Sequence, residues 1–272
     1  MRQILHISDI HFGPPHLPRV AEGVAALAAE GQPDLVVMAG DATQRAKPRQ
    51  FRAARRWVDR LGAPVVEIPG NHDVPMYRFW ERIFAPYRAY RRHYRSELRM
   101  TWSDDELGVV ALNTAHGWTV DNGRLTSAEL AWACRRLDEL PPELCRVVVI
   151  HHPLIPPPRF PKREILRGAR RAVERFAAAG VELVLGGHLH QAYAGTSDQY
   201  YPEHLPSMVV AHAGTATSDR GRGSERGRNT LNWVTVEEGW ITVEHRLWRP
   251  ADERFVTASS HRFRRPRKAD LQ

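Results

Sequence analysis

Aspartate, histidine and asparagine side chains recur in small groups along the first 190 residues, and each group directly follows a short apolar segment. The positions are Asp9, His11, Asp41, Asn71, His72, Asp73, His151, His152, His188 and His190. Imidazole, carboxylate and amide oxygen without thiolate suit borderline divalent metals such as Mn, Fe, Co, Ni or Zn, and do not suit a structural zinc site. The residue types therefore predict a catalytic metal site.

The spacing within these groups has a physical consequence. Asp9 and His11 are two residues apart, as are His188 and His190, which places both side chains of each pair on one side of an extended chain. Two such pairs are expected to hold one ion from opposite walls, and Asp41, with two carboxylate oxygens, is able to bridge two ions. Glycine directly precedes three of the groups, at Gly40, Gly70 and Gly186–Gly187. Glycine there is expected to let the backbone turn sharply and bring a ligand close to the centre.

The elements that must position these residues are predicted from hydrophobic periodicity. Five buried strands are predicted at Gln3–Ser8, Asp34–Ala39, Pro64–Glu67, Arg146–Ile150 and Val181–Leu185. Amphipathic helical stripes lie between them, which indicates α/β layers. Because ligands bind at the carboxyl ends of strands in such sheets, the distant side chains are expected to converge in one crevice.

The last third of the chain changes character. Met208–His212, Thr230–Val236 and Trp240–Leu247 alternate like strands, with a hairpin turn at Glu237–Gly239. A mostly antiparallel second sheet, packed on the first, is expected from this region. The segment 251–272 is basic and is expected to be a mobile tail.

Five blocks in order resemble the pattern of the calcineurin-like metallophosphoesterases, and the sheet-rich remainder is similar to the bacterial class III (cyclic nucleotide) phosphodiesterase branch. The blocks are Asp9-Ile10-His11, Gly40-Asp41, Gly70-Asn71-His72-Asp73, His151 and Gly187-His188-Leu189-His190. The resemblance implies one domain over residues 1–250, with a four-layer α/β/β/α sandwich of two mixed sheets. It also implies a centre of two divalent metal ions, with Mn, Fe, Zn, Co and Ni all open.

The resemblance also implies roles for these residues. One metal would be held by Asp9, His11, Asp41 and His190, and the other by Asp41, Asn71, His151 and His188. A metal-bridging hydroxide would be the nucleophile. His72 would stabilise developing charge or protonate the departing alkoxide, and Asp73 would orient His72 through its other ring nitrogen. His152 is interpreted as a packed neighbour of the ligands, and His6 as a core histidine.

Candidate substrate-binding residues lie outside the five blocks. Arg45, Asn113 and His212 each follow a strand or a ligand and are candidates for the substrate pocket. Residues 75–100 combine aromatic side chains with arginines, which predicts either a helix packed inward or a basic lid that stacks a base or sugar. The Arg/Gly loop Asp219–Arg228 is either a solvated loop or a clamp for a second phosphate.

Composition limits the classes of partner and the cellular location that we expect. The chain has 272 residues, 42% of them hydrophobic and 26% charged, as in an ordinary globular protein. No apolar run approaches the ~20 residues of a membrane span, and the N-terminus lacks the pattern of a secretory signal, so a cytoplasmic location is expected. The formal net charge is +8. It suits an anionic substrate, although an arginine-rich composition also arises from a GC-rich coding sequence.

The leading hypothesis is a binuclear-metal phosphodiesterase that hydrolyses a P–O bond of a small phosphodiester, with cyclic nucleotides as the first candidates. The enzyme alternatives are a phosphomonoesterase, a glycerophosphodiesterase and a nucleotide-anhydride hydrolase. A protein that acts on nucleic acid is a further alternative suggested by the basic charge, and a scaffold that has lost catalysis is another. The oligomeric state is open.

Overall fold

The structure is a computed structural model and describes residues 1–155, 166–203 and 206–266. Its strands, in chain order, are β1 (Arg2–Ile7), β2 (Leu35–Met38), β3 (Val65–Glu67), β4 (Met100–Ser103), β5 (Leu107–Leu112), β6 (Cys145–Ile150), β7 (Leu183–Gly186), β8 (Tyr193–Thr196), β9 (Val209–His212), β10 (Thr230–Val236), β11 (Trp240–Arg249) and β12 (Arg254–Arg264). Its α-helices are α1 (Pro18–Gly31), α2 (Pro48–Val58), α3 (Phe79–Phe84), α4 (Arg88–His93), α5 (Ser127–Asp138) and α6 (Ala169–Ala178). The five strands predicted from periodicity correspond to β1, β2, β3, β6 and β7.

The strands form two six-stranded mixed sheets. The first has the order β12-β11-β10-β1-β2-β3, in which β1, β2 and β3 are parallel and the pairs from β1 to β12 are antiparallel. The second has the order β4-β5-β6-β7-β9-β8, parallel in the centre and antiparallel at both edges. Parallel strands buried on both faces read as continuous Val, Ile and Leu, which is why the central strands were visible in the sequence.

Three apolar clusters separate four layers. One cluster lies between the sheets and joins residues such as Ile4 of the first sheet to Val147 of the second. A second packs α1 and α2 on the outer face of the first sheet, and a third packs α5 and α6 on the outer face of the second. The arrangement is the predicted α/β/β/α sandwich.

Local signals in the sequence fix several helix ends. Both α1 and α2 begin at a proline, which has no N–H to leave unpaired in a first turn. At α5, Thr126 Oγ1 accepts from Glu129 N at 3.2 Å and Glu129 Oε2 accepts from Thr126 N at 2.8 Å, which is the capping box that the spacing of Thr126 and Glu129 in the sequence predicts. In the described part of the chain, none of the helices is long and apolar enough to cross a membrane.

The prediction for the C-terminal third is wrong in two respects. The expected separate second sheet does not form, because β10 pairs with β1 and extends the first sheet, whereas β9 pairs with β7 in the second. The expected mobile tail from residue 251 is wrong for 254–264, which form β12 on β11. Residues 267–272 lie outside the described residues.

The segment 75–100 is two short helices rather than one, since Pro86 lies between α3 and α4. Tyr90 and Tyr94 are buried against Phe51, with ring centroids 5.7 and 5.9 Å away. Helix α4 therefore packs inward, as one of the two interpretations predicts. Helix α3 instead exposes aromatic rings, including Trp80 and Phe84.

Candidate metal centre

The candidate ligands come from both sheets and meet at the carboxyl ends of their strands. Asp9 and His11 follow β1, Asp41 follows β2, and Asn71 begins a single 3₁₀ turn after β3. His151 follows β6, and His188 and His190 follow β7. The predicted crevice is thus built by two facing sheets, not by one open sheet.

One group of ligand atoms surrounds a buried point between the loops after β1, β2 and β7. The ligand atoms of Asp9, His11, Asp41 and His190 all lie within 4.8 Å of one another. His190 Nε2 is 3.0 Å from Asp9 Oδ1 and 3.1 Å from His11 Nε2, and His11 Nε2 is 3.7 Å from Asp41 Oδ2. Four donor atoms at these separations fit a single cation.

A second group lies on the other side of Asp41. His151 Nε2 is 3.5 Å from Asp41 Oδ2 and 3.1 Å from Asn71 Oδ1, and His188 Nδ1 is also 3.1 Å from Asn71 Oδ1. A ring nitrogen of His152 comes within 4.8 Å of those of His151 and His188. The Nδ1 atom of His152 is 2.8 Å from Thr114 Oγ1, and its Nε2 is buried without a hydrogen-bond partner among the described residues.

The residues present fit two divalent cations. Asp9 Oδ1 and Asp41 Oδ2 are buried and have no hydrogen-bond partner in the described part of the chain. A buried carboxylate oxygen without a donor is costly, and a cation removes that cost. Asp41 Oδ2 is close to nitrogen atoms of both groups. The donor set of carboxylate, imidazole and amide oxygen is the chemistry that Mn, Fe, Co, Ni and Zn accept.

The backbone at the ligands is unusual. Five ligand residues have positive φ angles: Asp9 (55°), His11 (45°), Asp41 (55°), His188 (74°) and His190 (54°). The assumption that each two-residue pair is extended is therefore wrong, although both members of each pair do reach the site. Left-handed backbone costs a non-glycine residue about 1–2 kcal/mol, and such strain is concentrated at functional sites.

Two glycines are required by close approach of the ligand loops. A Cβ on Gly40, whose φ is +96°, would lie 2.5 Å from His151 Nδ1 and 3.0 Å from the Cα of Gly70. A Cβ on Gly70 would overlap the side chain and backbone of Asp41. Both positions need glycine because the ligand loops leave no room for a Cβ. Only Gly40 also has the positive φ of the sharp turn that the sequence predicts.

Hydrogen bonds hold the ligand rings and carboxylates in place. His151 Nδ1 is 2.7 Å from the carbonyl of Ala39, and His190 Nδ1 is 2.9 Å from the carbonyl of Arg220. Donation of these Nδ1 protons would leave each Nε2 free to bind a metal. The N–H of His188 donates to Asp9 Oδ2 at 3.0 Å, which leaves Oδ1 for the site.

The charges of the site are strongly coupled. Burial opposes ionisation of Asp9, but the neighbouring His190 and His11 hold the pKa of its carboxyl well below the usual value. Burial also opposes the charge on His151, but the adjacent Asp41 carboxylate raises the pKa of that imidazole to about 9. Burial lowers the pKa of His188 to about 3. A metal must displace any proton held on these nitrogens, so metal binding is expected to release protons.

The predicted partnership of His72 and Asp73 is wrong. Asp73 accepts hydrogen bonds from the N–H groups of Ala42, Thr43 and Gly70 at 2.9–3.0 Å, and from Thr43 Oγ1 at 2.9 Å. His72 Nδ1 is instead 3.1 Å from the Gln44 carbonyl. Asp73 is the last residue of the 3₁₀ turn, and its carboxylate faces and holds the backbone of the Asp41 loop.

A cavity of about 580 Å³ opens over the ligands. Its lining residues are Asp41, Asn71, His72, Asp121, Asn122, Arg167, His188, His190, Arg220 and Arg222. Arg220 and Arg222 belong to the Arg/Gly loop, for which the sequence left open a solvated loop or a clamp for a second phosphate. Asp121, Asn122 and Arg167 have no periodic or motif signal that could have placed them at the cavity.

The three residues predicted from the sequence to line the substrate pocket lie in different places. Arg45 lines a smaller cavity of about 200 Å³ next to His72 and Arg220. Asn113 borders a separate cavity beside Arg99, and it donates from Nδ2 to Tyr87 Oη at 2.8 Å. His212 is buried at the end of β9 and does not line either cavity that contains His72. Only Arg45 is placed beside the candidate metal centre.

Comparison with known proteins gives consistent matches. Residues 2–192 match the model of the calcineurin-like phosphoesterase family. A probable cyclic nucleotide phosphodiesterase of a Synechococcus species is 30% identical over 201 residues, covering 70% of this chain and 74% of the relative. The glycerophosphodiester phosphodiesterase GpdQ of Enterobacter lignolyticus is 26% identical over 270 residues, covering 90% of this chain and 91% of the relative.

A solved structure shows the same fold. The purple acid phosphatase PPD1 from yellow lupin seeds aligns with a TM-score of 0.74 at 11% identity. The alignment covers 100% of this chain and 55% of the plant protein, so this chain spans little more than half of that protein. At this identity the likeness concerns the fold alone.

Proposed function

This chain belongs to the calcineurin-like phosphoesterase family, a family of metal-dependent hydrolases of phosphoric esters, and on that basis we propose that it is a phosphodiesterase acting on a small phosphodiester. The observation that carries the proposal is the position of Asp41 Oδ2. It is a buried carboxylate oxygen without a hydrogen-bond partner among the described residues, and it lies 3.7 Å from His11 Nε2 and 3.5 Å from His151 Nε2. Its position between two donor sets is what a binuclear centre requires.

The proposed ligands follow these two donor sets. Asp9, His11, Asp41 and His190 would hold one ion, and Asp41, Asn71, His151 and His188 the other. When bound, two divalent ions supply an activated water and neutralise charge on the phosphoryl oxygens. His152 is proposed to support His151 and His188, since its Nδ1 is engaged by Thr114.

His72 is the proposed proton donor. It lines the cavity next to Asp41 and Asn71, and its ring stands edge-on to His11 with centroids 4.7 Å apart. Burial lowers the pKa of His72. Its Nδ1 is 3.1 Å from the Gln44 carbonyl, which leaves Nε2 available to hold or donate a proton at the departing oxygen.

Cyclic nucleotides are the first candidate substrates, because the first relative described above is named for them. A glycerophosphodiester is the second candidate, because a relative named for that activity aligns with nine-tenths of this chain. The cytoplasmic location expected from the sequence remains a prediction.

The test uses protein that has been stripped of metal and then reconstituted with Mn²⁺, and it compares initial rates of hydrolysis of four substrates. Bis-p-nitrophenyl phosphate, p-nitrophenyl phosphate, cyclic AMP and glycerophosphocholine would be measured side by side. The proposal expects metal-dependent hydrolysis of the diester that exceeds hydrolysis of the monoester. Faster turnover of the monoester would contradict the diesterase proposal, and the last two substrates separate its two candidates.

A further inference from the structure

Three arginines line the large cavity. Arg167, Arg220 and Arg222, here called the guanidinium wall, line the same cavity of about 580 Å³ as the candidate ligands. Arg220 also lines the smaller cavity beside His72 and Arg45. An anion bound at the metal centre would therefore share its cavity with guanidinium groups.

The guanidinium wall has no counter-charge of its own. Among the described ranges, no carboxylate forms an ion pair with any of the three, whereas Arg55 and Arg265 each contact a buried glutamate. Arg220 Nη1 donates to the neutral Gln44 Oε1 at 3.1 Å. Of the described residues that line the cavity, Asp41 and Asp121 are the carboxylates, against three guanidinium groups.

Backbone hydrogen bonds fix the wall relative to the ligands. The N–H of Arg222 donates to the carbonyl of His190 at 3.1 Å, and the carbonyl of Arg220 is 2.9 Å from His190 Nδ1. Arg167 belongs to a different loop, where its N–H donates to the carbonyl of Gly123 at 2.9 Å. The loop that carries two of the arginines is thus joined directly to a candidate metal ligand.

We propose that the guanidinium wall binds a second phosphate group of the substrate, separate from the phosphate that is hydrolysed. Guanidinium groups recognise phosphate through paired, charge-assisted hydrogen bonds. Arg220 also lines the smaller cavity beside His72, whereas Arg167 and Arg222 line only the large one. We therefore assign Arg167 and Arg222 to a second phosphate of the substrate. The inference rests on the proposed function, and within the small phosphodiesters it favours one that carries an additional phosphate over cyclic AMP and glycerophosphocholine, which each carry a single phosphate.

The reaction leaves the second phosphate unchanged. Water forms the new P–O bond at the first phosphate, the bond to the leaving oxygen breaks, and a proton ends on that oxygen. The guanidinium wall contributes binding and orientation only. Arg222 is not adjacent in sequence to a candidate ligand or to His72. Its substitution is therefore expected to change recognition of the second phosphate through the side chain.

The test measures competitive inhibition of bis-p-nitrophenyl phosphate hydrolysis by AMP, ADP and adenosine 3′,5′-bisphosphate. Adenosine is common to the three inhibitors, so their difference reports the second phosphate. The proposal expects ADP or the bisphosphate to inhibit at about tenfold lower concentration than AMP, the size of one charge-assisted contact. Arg222→Gln and Arg167→Gln should each reduce that advantage, whereas Arg226→Gln, an exposed arginine in the same loop that lines neither cavity containing His72, should retain it.

Two other outcomes have distinct meanings. Equal inhibition by all three nucleotides, or an advantage that survives in both Arg222→Gln and Arg167→Gln, would overturn the second phosphate site. Absence of bis-p-nitrophenyl phosphate hydrolysis would instead contradict the proposed function. Calorimetric titration of the same three nucleotides into the metal-loaded protein would then still decide whether the wall distinguishes one phosphate from two.

Discussion

At the residue scale, the site contains buried carboxylate oxygens that accept no hydrogen bond from the described residues. Asp9 Oδ1 and Asp41 Oδ2 are buried without a donor among the described residues, yet the neighbouring histidines hold the pKa values of both carboxyls below the usual range despite burial. An unsatisfied buried polar group costs about 1–3 kcal/mol, and more when charged. The protein tolerates this arrangement because cations are expected to complete it.

Removal of the His72 ring should separate proton transfer from metal binding. His72→Ala is expected to keep its metal content and to lower kcat by about 10²–10⁴, the usual contribution of a general acid. The loss should be greater for cyclic AMP, whose alkoxide needs a proton, than for bis-p-nitrophenyl phosphate. His93→Ala, on α4, is the control and should behave as wild type. Equal losses on the two substrates would contradict a proton-donor role.

Asp73 should act on the loop and not on His72. Its carboxylate accepts three backbone hydrogen bonds and one from Thr43, so Asp73→Ala leaves several buried donors unpaired. We expect the free energy of unfolding to fall by at least about 2 kcal/mol, measured by urea denaturation. An unchanged unfolding free energy with reduced kcat would favour the orienting role predicted from the sequence.

At the element scale, the ligands sit on strand-to-loop transitions that bend sharply. Asp9, His11, Asp41, His188 and His190 adopt left-handed backbone immediately after strands. The strands are rigid and buried, so each turn starts from a fixed point. Several loops can then place donor atoms within 4.8 Å of one another without long side chains.

Substitution of two glycines with similar φ angles tests whether the close approach of the ligand loops matters. Gly40 has φ +96° and would place a Cβ against His151, whereas Gly62 has φ +73° and open space around it. Gly62→Ala is expected to lose about 1–2 kcal/mol of unfolding free energy with full metal content. Gly40→Ala should lose more and should also lose bound metal, measured by elemental analysis. Equal effects of the two substitutions would show that crowding at Gly40 is unimportant.

The sequence predicted the central elements and the convergence of the candidate ligands, but not their geometry. The parallel strands and the helices gave clear periodic signals, and the capping box at Thr126 was readable locally. The pairing of β10 with β1 is a contact between distant segments and leaves no local signal. Positive φ at Asp9 and His11, and the convergence of Arg167 with Arg222, depend on tertiary packing, so spacing alone could not predict them.

At the scale of the whole molecule, the site depends on how the two sheets are held together. Four candidate ligands follow strands β1, β2 and β3 of the first sheet, and the other three, which are histidines, follow β6 and β7 of the second sheet. Besides the shared apolar cluster, Arg265 after β12 forms a buried ion pair with Glu182, just before β7, at 2.7 and 2.8 Å. Arg265, in the basic C-terminal region, therefore helps to hold the two sheets together.

Loss of that ion pair should destabilise the molecule. Arg265→Ala would leave Glu182 buried and unpaired, which is expected to cost about 3–5 kcal/mol of unfolding free energy. The neighbouring exposed arginine provides the control, and Arg264→Ala is expected to change stability by no more than about 0.5 kcal/mol. Thermal or urea unfolding of both variants is the measurement. Similar stability of the two would show that the Arg265 contact contributes little.

The most direct test of the binuclear centre is the metal content of wild-type protein and Asp41→Ala after reconstitution with Mn²⁺, measured by elemental analysis beside diesterase rate. The account predicts two ions per chain in the wild type, and in Asp41→Ala loss of ions from both positions and a rate at least about 10³-fold lower. Asp219→Ala, an exposed carboxylate near the cavity, should match the wild type. Two bound ions and full activity in Asp41→Ala would contradict a centre bridged by this residue.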